Sequence, residues 1–180
     1  MAEKKLRFAI FGNGSKALES IQIWEMLDYL IKHSAEVYVE QSFYYALQHQ
    51  LKDDLEVDGL FEGSDFNADY VISLGGDGTF LKAASSVGAK QIPIIGVNMG
   101  RLGFLANVAP ADVISMLDNI FAGQYDIEER VVIQLDAGAE SLEGCPCALN
   151  DIAILKRDTA SMISIRASVN GEYLVTYLAD

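Results

Sequence analysis

The residues whose types and spacing point most clearly to chemistry form one glycine-rich segment, Gly75-Gly76-Asp77-Gly78-Thr79. It follows an apolar run over residues 69–74 that predicts a strand, and it precedes a helical pattern over residues 80–87. Glycines let the backbone turn sharply and approach a ligand, and the free N–H groups at a helix start suit a phosphate. A carboxylate at Asp77 would repel phosphate, which makes it a candidate general base for a sugar or alcohol hydroxyl. The alternative is a tight turn in which Asp77 caps the helix.

A second segment, residues 96–105, follows the next predicted strand, residues 91–97. Ligands of α/β sheets bind at the carboxyl ends of the strands, so this segment is expected beside the first one. Phe104 offers a flat face on which a base could stack, Arg101 is a candidate phosphate partner, and Asn98 could bond to backbone or ribose. The alternative is a structured loop with Phe104 in the core.

A third pair, Asn150-Asp151, stands at the start of a predicted strand. An amide beside a carboxylate can read an adenine edge or ribose hydroxyls. The alternative is a plain pair of loop residues.

The elements around these residues change character near residue 122. Up to that point strand and helix patterns alternate, which predicts an α/β domain with a parallel sheet over residues 1–122. Residues 123–180 are predicted to begin an all-β antiparallel domain that is incomplete, with a hairpin turn at Asn170-Gly171. Strands are expected at 6–11, 36–40, 125–136, 148–156, 161–169 and 172–178, helices at 18–31, 43–51 and 111–121, and a loop at 55–67.

Composition narrows the class of protein. The 180 residues carry a net charge of -13 and are 51% hydrophobic, which indicates a folded chain and argues against a nucleic-acid partner. Apolar runs are too short for a membrane span. The two cysteines, Cys145 and Cys147, give no disulfide framework and no four-ligand zinc site, so the chain is expected in the cytoplasm with no metal site of its own.

Taken together and in this order, the glycine segment, the run Asn-Met-Gly-Arg-Leu-Gly-Phe-Leu at 98–105 and Asn150-Asp151 resemble the NAD kinase family. The resemblance runs from Leu6 to the last residue. Family members continue further, so it implies a chain that lacks its C-terminal third or more. It also implies phosphoryl transfer from ATP (or polyphosphate), with Mg²⁺ or another divalent cation, to the 2′-hydroxyl of the adenosine ribose of NAD, giving NADP.

The same resemblance implies a set of site residues. Asp77 would be the general base, Gly78 would contact the dinucleotide, Phe104 would lie against the adenine, and Lys82 matches a position that is often basic. The phosphate loop would consist of Gly75, Gly76, Gly78 and Thr79.

Three further positions of the resemblance lie in the second half of the chain. Asn150 and Asp151 match an Asn-Glu pair, although the Asp151 side chain is shorter than that of Glu. Ser161 stands where some members have Arg or His. Asp180 matches the Asp of a Gly-Asp-Gly step and would bond the nicotinamide end, with Ala179 in place of the first glycine.

Two other kinase types and one non-catalytic class compete with this interpretation. Lipid kinases of the diacylglycerol or sphingosine type share Gly-Gly-Asp-Gly-Thr, but they follow it with a different segment, and phosphofructokinase shares only Gly-Gly-Asp-Gly. A catalytically dead nucleotide-binding module is the third alternative. On the NAD kinase interpretation, the 180-residue piece alone is expected to be inactive, and the protein is expected to form a homo-oligomer.

Overall fold

The computed structural model describes residues 5–13, 21–49, 55–100, 103–136, 147–149, 151–155 and 162–179. The strands are β1 Arg7–Gly12, β2 Glu36–Glu40, β3 Gly59–Phe61, β4 Tyr70–Gly75, β5 Ile94–Asn98, β6 Ile133–Gln134, β7 Cys147–Ala148, β8 Ile163–Val169 and β9 Glu172–Ala179. The helices are α1 Ile21–Lys32, α2 Gln41–Gln48, α3 Asp77–Val87 and α4 Val113–Phe121, with 3₁₀ turns at Gly88–Lys90 and Pro110–Asp112.

Strands β1 to β5 form one parallel sheet in the order β3-β2-β1-β4-β5. The chain moves outward from β1 through β2 to β3 and then returns to place β4 on the other side of β1. In sheets of this kind, such a reversal opens a crevice at the carboxyl ends of the two central strands. The loops that follow β1 and β4 therefore flank one crevice, with Gly12 in register with Leu74.

The sheet is covered on both faces, as an all-parallel sheet requires. Helices α1, α2 and α4 pack on one face, where Ile10, Met26, Phe43 and Leu117 are buried together. Helix α3 packs on the other face, where Ala83 and Val87 lie in one cluster with Ala9, Phe11 and Val71. The predicted α/β architecture with a parallel sheet is confirmed.

The antiparallel character of the C-terminal part is also confirmed. Strands β8 and β9 form an antiparallel hairpin, and β6 and β7 form a short antiparallel pair. The hairpin turns at Asn170 and Gly171, whose φ angles of 51° and 86° lie in the left-handed region that these two residue types tolerate best. The division into domains 1–122 and 123–180 stays a prediction.

Three expectations about elements were wrong. The segment 55–67 contains the edge strand β3, which pairs with β2 over only three residues. Three residues are too few for a strand pattern to be recognised in the sequence. Helix α3 begins at Asp77 and not at residue 80. Within 125–136 the described residues form only the two-residue strand β6, and within 148–156 only Ala148, the second residue of β7, belongs to a strand, because neither stretch finds a longer partner among the described residues.

Among the helices of the described part of the chain, none combines the length and apolar character that crossing a bilayer demands.

Candidate functional site

The crevice at the carboxyl edge of the sheet contains an open cavity of about 500 Å³. The end of β1, the start of α2 and the start of α3 all contribute to its wall. Its lining residues are Gly12, Asn13, Ser42, Phe43, Gly76, Gly78, Thr79 and Lys82.

The glycine segment forms the junction between β4 and α3. The amide groups of Thr79 and Phe80 donate to the Gly76 carbonyl at 3.0 and 3.1 Å, which closes the first turn of the helix. A Cβ atom at Gly75 would run into the Thr79 side chain, so only glycine permits this tight turn. The N–H groups that come before Thr79 at the start of a helix have no partner inside it, and Gly76 and Gly78 lie at the cavity wall.

The Asp77 carboxylate binds the second segment and does not cap its own helix. Oδ2 accepts a hydrogen bond from the Phe104 amide at 2.9 Å, and Oδ1 accepts bonds from the amides of Leu105 and Ala106 at 3.0 and 3.3 Å. Helix α3 has Gly76 at its N-cap and no side-chain cap bond, so the capping alternative was wrong. The hydrogen bond from Phe104, with those from Leu105 and Ala106, holds the pKa of Asp77 below its ordinary value.

One acceptor position of Asp77 is left for a ligand. A carboxylate has about four lone-pair positions, and the described residues fill three of those on Asp77. Oδ2 accepts only one of these bonds and can accept a second from a hydroxyl group. The carboxylate is ionised at neutral pH, as an ordinary aspartate is, and is suited to that role.

The second segment forms a loop that leaves β5 at Asn98 and returns beside it at Val108. The Asn98 amide donates to the Val108 carbonyl at 2.8 Å, and Asn98 Oδ1 accepts from the Gly100 amide at 2.9 Å. A Cβ atom at Gly103 would collide with the Asp77 carboxylate, so glycine at this position allows the loop to approach Asp77. The loop is therefore fixed at both ends by β5 and near its middle by Asp77.

Phe104 lies on this loop with 95% of its surface exposed. The alternative that places it in the core was wrong. Its backbone amide is bound to Asp77, so the position of the exposed ring is tied to that of the carboxylate.

Lys82 forms an ion pair across the cavity wall with Glu40, at 3.0 Å between Nζ and Oε1. Glu40 is the last residue of β2 and is only 8% exposed. Its Oε2 also accepts bonds from the Ser42 hydroxyl and from the Phe43 amide, which makes it the N-cap of α2. Burial alone would raise the pKa of Glu40, but the bonds from Ser42, Lys82 and Phe43 outweigh it and lower the pKa.

The structure brings some of the predicted residues together and leaves others untested. Gly76, Gly78, Thr79 and Lys82 share the cavity, Gly75 ends the strand behind it, and Asp77 joins it to Phe104. Asp151 is exposed. Asn150, Ser161 and Asp180 lie outside the described residues, as does Arg101.

Sequence reasoning missed three residues of the cavity region, namely Ser42, Phe43 and Glu40. The sequence Gly12-Asn13-Gly14 was a candidate nucleotide-side loop on a weak Gly-x-Gly pattern, and Gly12 and Asn13 do line the cavity. Glu40 had been assigned only to the end of a strand. Glu is not among the residue types that usually cap helices, so the sequence carried no clear signal for the role of Glu40 as the N-cap of α2.

Comparisons with known proteins show what this chain is similar to. The family described as the ATP-NAD kinase N-terminal domain matches residues 8–125. An NAD kinase of Bacteroides fragilis is 49% identical over 175 residues, and one of Porphyromonas gingivalis is 36% identical over 174 residues; each alignment covers 97% of this chain and 60% of the relative. The chain thus spans about 60% of the length of these curated relatives.

A solved structure, yeast NADH kinase complexed with NADH, has the same fold. It superposes with a TM-score of 0.75 at 18% identity, over 99% of this chain and 57% of the yeast chain. The family model, which matches well over half of the chain at residues 8–125, leads to one conclusion: the chain belongs to the NAD kinase family.

Proposed function

We propose that the protein is an NAD kinase, which transfers a phosphoryl group from ATP to the 2′-hydroxyl of the adenosine ribose of NAD and so gives NADP. The observation that carries this proposal is the Asp77 carboxylate, which joins the glycine segment to the loop that presents Phe104. Membership of the NAD kinase family supports the choice of reaction.

The phosphoryl donor would occupy the cavity beside the glycine segment. The start of α3 carries a partial positive charge, and Gly76 and Gly78 let phosphate oxygens approach the backbone. Lys82 supplies a full positive charge at the same wall. Catalysis of phosphoryl transfer depends mainly on such positioning and charge stabilisation, so these features fit the step.

Mg²⁺ would enter with the triphosphate. Asn13, Ser42 and Thr79, whose side chains carry oxygen atoms, line the cavity, and the phosphate oxygens of the donor and water would supply the other ligands that Mg²⁺ takes. The residues present therefore fit the metal, whose chemistry when bound is to neutralise charge on the phosphate oxygens.

Asp77 would hold and then deprotonate the acceptor hydroxyl. The 2′-oxygen attacks the γ-phosphorus, the bond from that phosphorus to the β–γ bridging oxygen breaks, and ADP leaves with the bond's electrons. The hydroxyl proton passes to Asp77 and from there to water. A low pKa is compatible with this role, because proton removal can be late in a loose transition state.

The dinucleotide would lie between Asp77 and the C-terminal part of the protein. Gly78 would contact it, and Phe104 would stack on the adenine, for which its exposed ring is suited. Asn150 and Asp151 would bind the adenosine ribose, Ser161 would also contact the dinucleotide, and Asp180 would bond the nicotinamide end.

Calorimetric titration of the full-length protein with NAD, NADP and a diacylglycerol analogue tests the substrate class. We expect heat of binding from NAD and NADP and none from the lipid analogue. Binding of the lipid analogue alone would replace this proposal with a lipid kinase, and binding of NAD without turnover would favour a nucleotide-binding module.

We also propose a cytoplasmic homo-oligomer. Exposed apolar side chains on the β8–β9 hairpin, such as Leu174 and Leu178, support self-association of the protein.

A further inference from the structure

Glu40 has no part in the proposed reaction, yet it is the most buried acidic side chain near the cavity. Its carboxylate organises three groups of the cavity wall, the ammonium of Lys82, the hydroxyl of Ser42 and the amide of Phe43. Burying a carboxylate is costly unless it is paired and hydrogen-bonded, so its presence here calls for a reason.

Lys82 is the group that needs such an anchor. Its side chain is 52% exposed and has a flexible four-carbon stem, so it would otherwise sample many rotamers in water. An ammonium has three N–H groups, and one of them goes to Glu40. The other two can be directed at a ligand in the cavity that Lys82 lines.

We propose that Glu40 is a positioning residue that holds the Lys82 ammonium at the cavity wall, ready to meet the terminal phosphates of the donor. Protein kinases use a lysine–glutamate ion pair for the lysine that contacts the donor phosphates, so the physical principle is established elsewhere. The identification of the donor as a nucleoside triphosphate rests on the proposed function.

Two effects of removing the Glu40 charge oppose each other. The loss of a negative charge near the cavity favours binding of an anionic donor, whereas the release of Lys82 disfavours it. Ground-state binding should therefore change little. In the transition state, a fixed cation stabilises charge better than a mobile one, so the loss should fall on kcat.

The test uses Glu40→Gln in the full-length protein, with ATP varied at saturating NAD. Glutamine keeps the shape and can still accept the Phe43 amide bond. We expect kcat to fall about tenfold, since small misplacements of a catalytic group can cost up to about a hundredfold. The KM for ATP should stay within about threefold of wild type. An unchanged kcat would overturn the proposal.

Glu36→Gln is the matched control. Glu36 lies at the opposite end of the same strand, and its carboxylate also pairs with a cation, Arg7, at 2.6 Å. We expect Glu36→Gln to leave kcat unchanged. This result would show that the fall in kcat of Glu40→Gln does not come from the loss of just any ion pair on β2.

A double-mutant cycle with Lys82→Met separates positioning from a purely structural role. If Glu40 acts through Lys82, adding Glu40→Gln to Lys82→Met should lower kcat by less than about twofold more. A further tenfold fall in the Lys82→Met background would show that Glu40 acts through the cap of α2 and would overturn the proposal.

A measurement without turnover distinguishes failure of this inference from failure of the proposed function. The rate at which an acylating reagent labels Lys82, followed by peptide mass spectrometry, should rise in Glu40→Gln. Unchanged labelling would overturn the positioning role, even in a protein that forms no NADP.

Discussion

Asp77 is shared between the protein and its proposed substrate. Its carboxylate accepts hydrogen bonds from three backbone amides of the loop that presents Phe104, and Oδ2 has one further acceptor position for the substrate hydroxyl. A substitution here therefore tests two functions at once, chemistry and loop placement. Variants that retain different numbers of acceptors can separate them.

We expect Asp77→Asn to retain NAD binding. The asparagine carbonyl can still accept from Leu105 and Ala106, although its NH₂ group opposes the Phe104 amide. NAD affinity measured by calorimetry should change less than about tenfold, a loss of up to about 1.4 kcal/mol.

Asp77→Ala, which removes every acceptor, is the comparison. It should weaken NAD binding further, because the loop loses all three bonds. Complete loss of NAD binding in Asp77→Asn would mean that the charge of the carboxylate is needed to hold the loop.

Acid should release the loop. The folded pKa of Asp77 lies below the ordinary value of 3.8, so the carboxylate stabilises the loop above that value, and the contribution is lost as the pH falls through the folded pKa. The amide proton shifts of Phe104 and Leu105, followed by NMR, should titrate with a midpoint below 3.8. A midpoint at or above 3.8, or the same transition in Asp77→Asn, would contradict this.

At the scale of elements, substitutions at two glycines should differ in effect, because a Cβ atom at Gly103 would be crowded and one at Gly76 would not. Gly103→Ala places a methyl group against the Asp77 carboxylate, so the loop must move. We expect turnover to fall by up to about a hundredfold. Activity assays with thermal unfolding of the same samples make the measurement.

Gly76→Ala is the matched substitution. A Cβ atom at Gly76 meets nothing within 4 Å, and its φ of -101° suits any residue. The unfolding temperature of Gly76→Ala should equal that of wild type, while ATP binding weakens because the methyl group stands where phosphate would approach.

Normal turnover in Gly103→Ala would show that the contact between the loop and Asp77 is dispensable.

The sheet could be predicted from the sequence because each central strand is a continuous apolar run bounded by turn residues. Strand β3 could not be predicted, because its three residues form a strand only through their pairing with β2. The start of α3 was missed because Asp77, Gly78 and Thr79 are weak helix formers, although the first turn of a helix tolerates them.

The candidate site was partly accessible to sequence reasoning. Asp77 and Phe104 stand out by residue type and neighbours, and the structure adds that they are hydrogen-bonded to each other across 27 positions. The pair between Glu40 and Lys82 spans 42 positions and follows from the sheet order, which local patterns do not contain.

At the scale of the whole molecule, the chain spans about 60% of its curated relatives, and its C-terminal hairpin exposes apolar side chains. Met162, Tyr173, Leu174, Tyr177 and Leu178 are all more than half exposed. In a folded protein, an apolar surface of this kind is usually covered by a further part of the chain or a partner.

We therefore expect the 180-residue chain alone to form no NADP from NAD and ATP, whereas the full-length protein does. A coupled assay specific for NADP, run on both forms at equal concentration, makes the comparison. Measurable NADP formation by the shorter chain would show that residues 1–180 complete the site.

The most direct test of the central claim is the rate of NADP formation by the full-length protein and its Asp77→Asn variant, with the product located by phosphorus NMR. The account predicts a 2′-phosphate on the adenosine ribose from the wild type and a rate at least about a hundredfold lower from the variant. Turnover of Asp77→Asn near that of the wild type would contradict it.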